Sequence, residues 1–210
     1  MSFVYMKILE SRPERYDLGM SLLTLGTLTK IKRQIAEHVH SGNQVLDLGC
    51  GTGTLAQMCI ERGAVVTGVD ANSGMLAVAK RNSPSANYLN ISLGNLDEHL
   101  GDESFDIILS TLAFSELTRA ERIHVLKQIK RILKNGGKVL IGDEIIPENI
   151  LAKWLYYAFR LPMRFLTWVI TQTTTNAISN FDDDVREAGM EIVHRKPFML
   201  GMFILLEIKK

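Results

Sequence analysis

Cysteine is scarce in this chain: 210 residues hold two, Cys50 and Cys59. Both fall in segments that read as buried turn and helix, so a disulfide framework is excluded and a reducing compartment, the cytoplasm, is expected. Charge imbalance is equally absent. Lys and Arg number 24 against 23 Asp and Glu, a net charge of +1. A nucleic-acid binder usually carries a concentrated basic surface, so nucleic acid is not expected as a partner. The opening stretch MSFVYMKILESRPERYD lacks an apolar run followed by a small-residue cleavage site, and no secretory signal is read there. No low-complexity tract or internal repeat stands out. The five histidines (His38, His40, His99, His124, His194) are scattered. None has metal-ligand spacing, so no metal is expected, and each is read as solvated or packed, His124 on an outer helix face.

What is present is an ordinary core-forming composition, 46% apolar and 22% charged, over a length that suits one domain. Residues 1–43 read as a helical cap. Ser11 and Glu14 fit a capping box with Pro13 in the first turn, and an apolar period runs through Met20, Leu23, Leu28, Ile31 and Ile35. Gly19 and Gly26 interrupt it. From Gln44 short apolar runs alternate with helical stretches. Strands are read at Gln44–Leu48, Ala64–Val69, Asn87–Ser92, Phe105–Ser110 and Lys138–Gly142. Helices are read at Thr52–Arg62, Ser73–Arg81 and Thr118–Leu133. Continuous apolar strands separated by helices indicate a parallel α/β sheet covered on both faces. Such a sheet binds ligands beyond the carboxyl ends of its strands, where strand order reverses. After residues 44–146 the rhythm breaks. An insert spans 147–180, and residues 181–210 read as a short helix, Phe181–Ala188, and two strands, Glu191–Lys196 and Phe203–Ile208. Their short connection suits an antiparallel pair at the end of the sheet.

The strongest pattern is Val45-Leu46-Asp47-Leu48-Gly49-Cys50-Gly51-Thr52-Gly53, an apolar strand running into a glycine-rich turn that opens a helix. Without Cβ atoms such a turn can be tight and a ligand can approach its backbone. Asp70 ends the next strand, about 20 residues on, the spacing at which an acid meets ribose hydroxyls in nucleotide folds. A nicotinamide site typically has glycine where Thr54 stands, and the acid Asp47 beside the loop would repel a pyrophosphate. A carboxylate there suits a ligand carrying an ammonium group.

Asp47-Leu48-Gly49-Cys50-Gly51-Thr52-Gly53 resembles motif I of the class I S-adenosylmethionine (SAM)-dependent methyltransferases. Val69-Asp70, Gly94-Asn95-Leu96, Ser104–Ile108 and Leu133–Gly137 resemble later family motifs in order. The resemblance covers roughly residues 40–146, and 180–210 by pattern only. It implies a Rossmann-like α/β fold, a seven-stranded mostly parallel sheet with an antiparallel last strand and helices on both faces. It implies SAM as cofactor, with Gly49, Cys50, Gly51 and Gly53 lining it and Asp47 near its amino acid end. Asp70 would hold the ribose, with Ala71, Met75, Asn95 and Leu96 at the adenine. Many relatives have Asp where Asn95 stands, and an amide oxygen can still accept from the adenine amino group.

The loop after the fourth strand, Thr111–Leu117, usually faces the transferring methyl. It lacks the Asn/Asp-Pro-Pro-aromatic motif of enzymes acting on base amino groups, and has one of the two glutamates of arginine methyltransferases, Glu116. The remainder resembles the small-molecule branch, which includes quinone-biosynthesis enzymes. Tyr5–Gly26 and Ser115-Glu116-Leu117 faintly resemble methyltransferases associated with corrinoid proteins. Candidates for acceptor-side chemistry are Ser115, Glu116, Asp143 and Glu144. Residues 150–170 form an apolar stretch interrupted by Lys153, Arg160, Pro162 and Arg164. A cation at mid-bilayer costs about 2.5–3.5 kcal/mol, which argues against insertion. The stretch is read as a lid over the site, the alternative being peripheral contact with a membrane surface. Its Trp154, Tyr156, Tyr157 and Phe159 suit an apolar or aromatic small-molecule acceptor. Two other functions stay open: a non-catalytic SAM-binding partner protein, and an NAD(P)-dependent oxidoreductase.

Overall fold

The computed structural model describes residues 13–147, 154, 178 and 180–210. The insert at 147–180, with its lid and membrane readings, and the capping box at Ser11 lie largely outside these residues. A 3-10 turn at Pro13–Arg15 leads into helix α1, Tyr16–Leu23, and α2, Thr27–Glu37. Gly19 is absorbed inside α1. The break comes at Leu25 and Gly26, which take φ of 49° and 73°, a left-handed pair no helix can contain. Leu28, Ile31, Ile35 and Ala36 are buried on one face of α2, the 3.6-residue period that docks a helix on a sheet.

Seven strands follow: β1 Gln44–Leu48, β2 Val65–Val69, β3 Asn87–Leu89, β4 Phe105–Thr111, β5 Leu133–Glu144, β6 Glu191–Phe198 and β7 Phe203–Lys209. Between them lie α3 Thr54–Ile60, α4 Ser73–Asn82, α5 Arg119–Ile132 and α6 Phe181–Glu187. The strand order is β3-β2-β1-β4-β5-β7-β6. β1 to β5 are mutually parallel, and β7 runs antiparallel to both β5 and β6. The chain leaves β1 towards β2 on one side and returns to β4 on the other, so the order reverses between β1 and β4.

Two apolar layers sandwich the sheet, set by the period-two alternation of strand side chains. Val45, Ile107, Leu109 and Leu140 face α2 and α3. Leu46, Leu48, Ile108 and Ile141 face α5 and α6. Asp47 shares the parity of Val45 and therefore points towards α2. Gly142 of β5 lies where a Cβ would strike the Ile31 side chain, so α2 approaches that strand closely.

Element ends differ from the sequence reading where local hydrogen bonding decides. The helix read from Thr52 begins at Thr54, because Gly53 takes φ 75° and Thr52 still belongs to the turn. β3 is three residues long rather than six. β5 begins at Leu133, which pairs with Phe105. The register then shifts, and the ladder resumes with Lys138 opposite Ile107. Pro197 lies within β6, tolerated because β6 is an edge strand. The capping box of α5 is formed by Thr118 and Glu121.

A buried ion pair joins the helices on the α5 side. Arg122 Nε donates to Asp184 at 2.7 Å, and the Asp184 side chain is fully buried. Exposed Arg119 supplies a second contact at 3.0 Å. Removing one partner strands a charge in a medium that cannot solvate it. Arg122→Met is expected to lower stability by about 3 kcal/mol, read as a lower urea midpoint at constant slope; an unchanged midpoint would show the pair to be dispensable.

Candidate functional site

A cleft of about 730 Å³ opens at the carboxyl ends of β1, β2 and β4, within the size range of small-molecule sites. Its floor is the turn between β1 and α3. Gly49 takes φ 67°, and a Cβ there would sit 2.6 Å from that of Ala113, so the loop after β4 packs directly on this glycine. Gly53, at φ 75°, has a different role. Its Cβ would meet Tyr88 Oη and Ser83 Oγ at 2.6 and 2.8 Å, which makes it a packing residue against α4 and β3. Of the glycine-turn residues, Gly49 and Gly51 line the cleft, while Gly53 and Cys50 do not. Cys50 is buried, and burial pushes its thiol far above the ordinary range.

Asp70 forms the next wall. One carboxylate oxygen accepts from the Gly51 amide and the other from the Asn72 amide, each at 2.8 Å. Burial raises its pKa, and those two amides pull the other way. Asn90 Nδ2 donates to the carbonyls of Asp70 and Ala71 at 3.0 Å, which fixes the chain leaving β2. Asn72 also caps α4, accepting from the amides of Gly74 and Met75. Ala71 and Met75 line the cleft as expected of their positions.

The far wall is the 3-10 segment Leu93–Glu98 together with α5. Ser92, Leu93, Gly94 and Asn95 face the cleft. Leu96 does not: it is fully buried in the core beneath α5. His124, read from sequence as solvated or packed on an outer face, lies on the cleft wall. Its Nε2 is 3.1 Å from the Gly94 carbonyl. The helix face reaching the cleft is the one carrying Ala120, Glu121, His124 and Val125.

The N-terminal cap closes one side. Tyr16 lines the cleft, and Asp17 accepts from Thr52 Oγ1 at 2.7 Å, tying α1 to the glycine turn. Neither had a motif to mark it in the sequence. Leu112 also lines the cleft, at a left-handed φ of 60°, which no local pattern announces. Asn72 did have a signal, an Asn directly before a helical run.

Of the four acceptor-side candidates, only Glu116 lies on the cleft wall. Asp143 is buried, and its carboxylate accepts from the amides of Phe114, Ser115 and Glu144. Burial raises its pKa to about 6. Ser115 and Glu144 are buried beside it. Asp47 is buried in β1, and among the described residues neither of its carboxylate oxygens has a hydrogen-bond partner. Burial pushes its pKa up to about 7, opposed by the Lys32 ammonium and helped by the Asp70 charge. Among the described residues no cluster of His, Cys, Asp and Glu could hold a metal ion, and no helix is long and apolar enough to cross a membrane.

Residues 46–141 match a family described as methyltransferase domain. The chain is 31% identical over 169 residues to a demethylmenaquinone methyltransferase of Thermotoga maritima, covering 78% of this chain and 70% of that one. It is 34% identical to a ubiquinone/menaquinone biosynthesis C-methyltransferase of Pseudoalteromonas translucida, covering 73% and 65%. A crystal structure of an S-adenosylmethionine-dependent methyltransferase from Mesorhizobium loti superposes with TM-score 0.63 at 21% identity, covering 81% and 92%. That likeness shows the shared fold.

The Asp47 carboxyl gives a direct test of its surroundings. A raised native pKa means the folded chain keeps a proton that the unfolded chain releases, so stability falls as pH rises from about 4 to 7. Asp47→Asn, which keeps the shape without titrating, removes that slope. Between pH 5 and pH 8 the variant is expected to gain about 2–3 kcal/mol on the wild type in urea denaturation. A constant gap would show that Asp47 is ionised throughout.

Proposed function

The chain belongs to the class I SAM-dependent methyltransferases, and from that premise we propose that it methylates a ring carbon of a quinone-like small molecule in its reduced, hydroxylated form. The observation that carries this reading is a cleft whose lining combines the Asp70 carboxylate and the glycine turn with the apolar side chains of Tyr16, Leu112, Leu117 and Val125. The names of the relatives in Thermotoga and Pseudoalteromonas support a quinone-like acceptor. The resemblance of Tyr5–Gly26 to corrinoid-associated enzymes rests partly on residues outside those described.

The site fits the cofactor. An adenosyl group needs an acid for its ribose, a backbone free of Cβ atoms for close approach, and an edge for its base. Asp70, the Gly49–Gly51 turn, and Ala71, Met75 and Asn95 are assigned these roles. SAM, when bound, supplies an electrophilic methyl on a sulfonium. The buried Asp47 carboxylate, behind the turn, favours a positively charged ligand through its field rather than by contact. A single cleft that holds donor and acceptor together supplies positioning, which can be worth up to roughly 7–11 kcal/mol.

Methylation at a ring carbon releases that carbon's proton. Glu116, on the turn after β4, is the carboxylate assigned to receive it. The apolar wall keeps water from competing for the methyl.

With labelled SAM and a short-tailed demethylnaphthoquinol, one methyl is expected on the ring carbon, read by mass spectrometry. Transfer to oxygen, or none, would refute the acceptor assignment. Asp70→Ala is expected to weaken S-adenosylhomocysteine binding at least about tenfold, equivalent to about 1.4 kcal/mol, in calorimetry; equal affinity would remove Asp70 from the ribose. Glu116→Gln is expected to lower kcat about a hundredfold with cofactor affinity kept.

A further inference from the structure

The turn after β4 has a non-local support that none of its own residues provides. It runs from Thr111 through Leu112, held at φ 60°, into a 3-10 turn at Phe114–Glu116. A left-handed leucine costs free energy and persists only where its surroundings over-determine it. Part of that determination acts on Leu112 itself. The Leu112 amide donates to the Gly142 carbonyl at 2.9 Å, and the Leu112 side chain is buried among Tyr16, Met20, Leu28 and Met75. The rest comes from the next residue of β5. One Asp143 oxygen accepts from the amides of both Phe114 and Ser115, at 3.0 and 3.2 Å. The other accepts from the amide of Glu144 at 2.7 Å. Asp143 is 1% exposed and does not reach the cleft surface.

We infer that Asp143 is the positioning residue for acceptor-side chemistry: it binds the amides at the start of the Phe114–Glu116 turn and thereby sets where Glu116 stands in the cleft. The inference rests on the proposed role of Glu116 for its kinetic consequence, and on hydrogen bonds alone for its structural one. A buried carboxylate is costly, and here burial does raise its pKa. The Ser115 hydroxyl and three converging amide donors are what make the charge tolerable. A neutral amide cannot replace it. Asn has one accepting oxygen, and its NH2 would face a backbone N–H, leaving at least one buried amide unpaired. The turn is therefore matched to an acceptor-only side chain at position 143. Asp143 does not touch the ligand space, so its influence on the reaction passes through the turn.

The test uses the full chain with S-adenosylhomocysteine and the same naphthoquinol. In Asp143→Asn, amide hydrogen exchange at Phe114 and Ser115 is expected to quicken at least about tenfold while Leu140 and Ile141 stay protected, and S-adenosylhomocysteine affinity is expected to stay within about twofold, corresponding to the loss of one or two hydrogen bonds confined to the turn. The kinetic arm is a double-mutant cycle with Glu116→Gln. Asp143→Asn is expected to lower kcat at least about tenfold in the wild type and to have little further effect in Glu116→Gln, because residues acting as a unit are not additive. Equal losses in both backgrounds would overturn the route through Glu116. If the naphthoquinol is not methylated, the acceptor reading fails, and the exchange arm alone decides the structural claim. Should Asp143→Asn not fold, the wild type suffices: unprotected amides at Phe114 and Ser115 would overturn the proposal.

Discussion

The tight passage from β1 into α3 is the constraint on which the cleft depends. Gly49 must turn the chain in the left-handed region and leave space for Ala113 against its α-carbon. Once that turn is made, three separate parts of the chain fasten to it. The Gly51 amide binds Asp70 from β2. Thr52 binds Asp17 from the N-terminal helix. Ala113 brings in the loop after β4. A cleft between these parts follows from where they are anchored. The reversal of strand order beside β1 leaves the opening that no crossover helix fills.

Two carboxylates buried near the carboxyl ends of β1 and β5 show how differently the same cost can be met. Asp143 is met by the Ser115 hydroxyl and by backbone amides, which hold its pKa nearer the ordinary range than burial alone would. Asp47 has no such donors among the described residues, and depends on the Lys32 ammonium of α2 across the layer. Its parity in β1 sends it to that side of the sheet. One acid is spent on shaping a turn. The other holds a latent negative charge behind the glycine loop, where a cationic ligand would strengthen its ionised form.

The repeating strands and helices were legible because burial on both faces of a parallel sheet requires continuous apolar runs, and Val45–Leu48 and Phe105–Ser110 supply them. The glycine turn and Asp70 were legible because tight turns and strand-end acids need particular residue types. Much less visible was which of these residues face the ligand space. Gly53 and Leu96 belong to the motifs but pack inward, against Tyr88 and beneath α5. His124 and Tyr16 carry no motif and line the cleft. A one-residue change of register on a helix or turn moves a side chain from wall to core, and the sequence holds no record of that register.

The amino-acid order by itself determined the alternation of elements, the parallel sheet, the position of the nucleotide-type turn and the family resemblance. Each of these depends on periodicity or on residue types within a few positions of one another. Only the tertiary structure decided that Asp143 supports a turn from below rather than facing the cleft, that Leu112 is held in a left-handed conformation, and that the N-terminal helix is fastened to Thr52. The hydrogen bonds among them join residues about 30 positions apart, 28 for Ser115 to Asp143 and 35 for Asp17 to Thr52, and the side chains packed on Leu112 come from farther still. Hydrogen bonds and steric contacts act through space, so they are fixed when the layers pack.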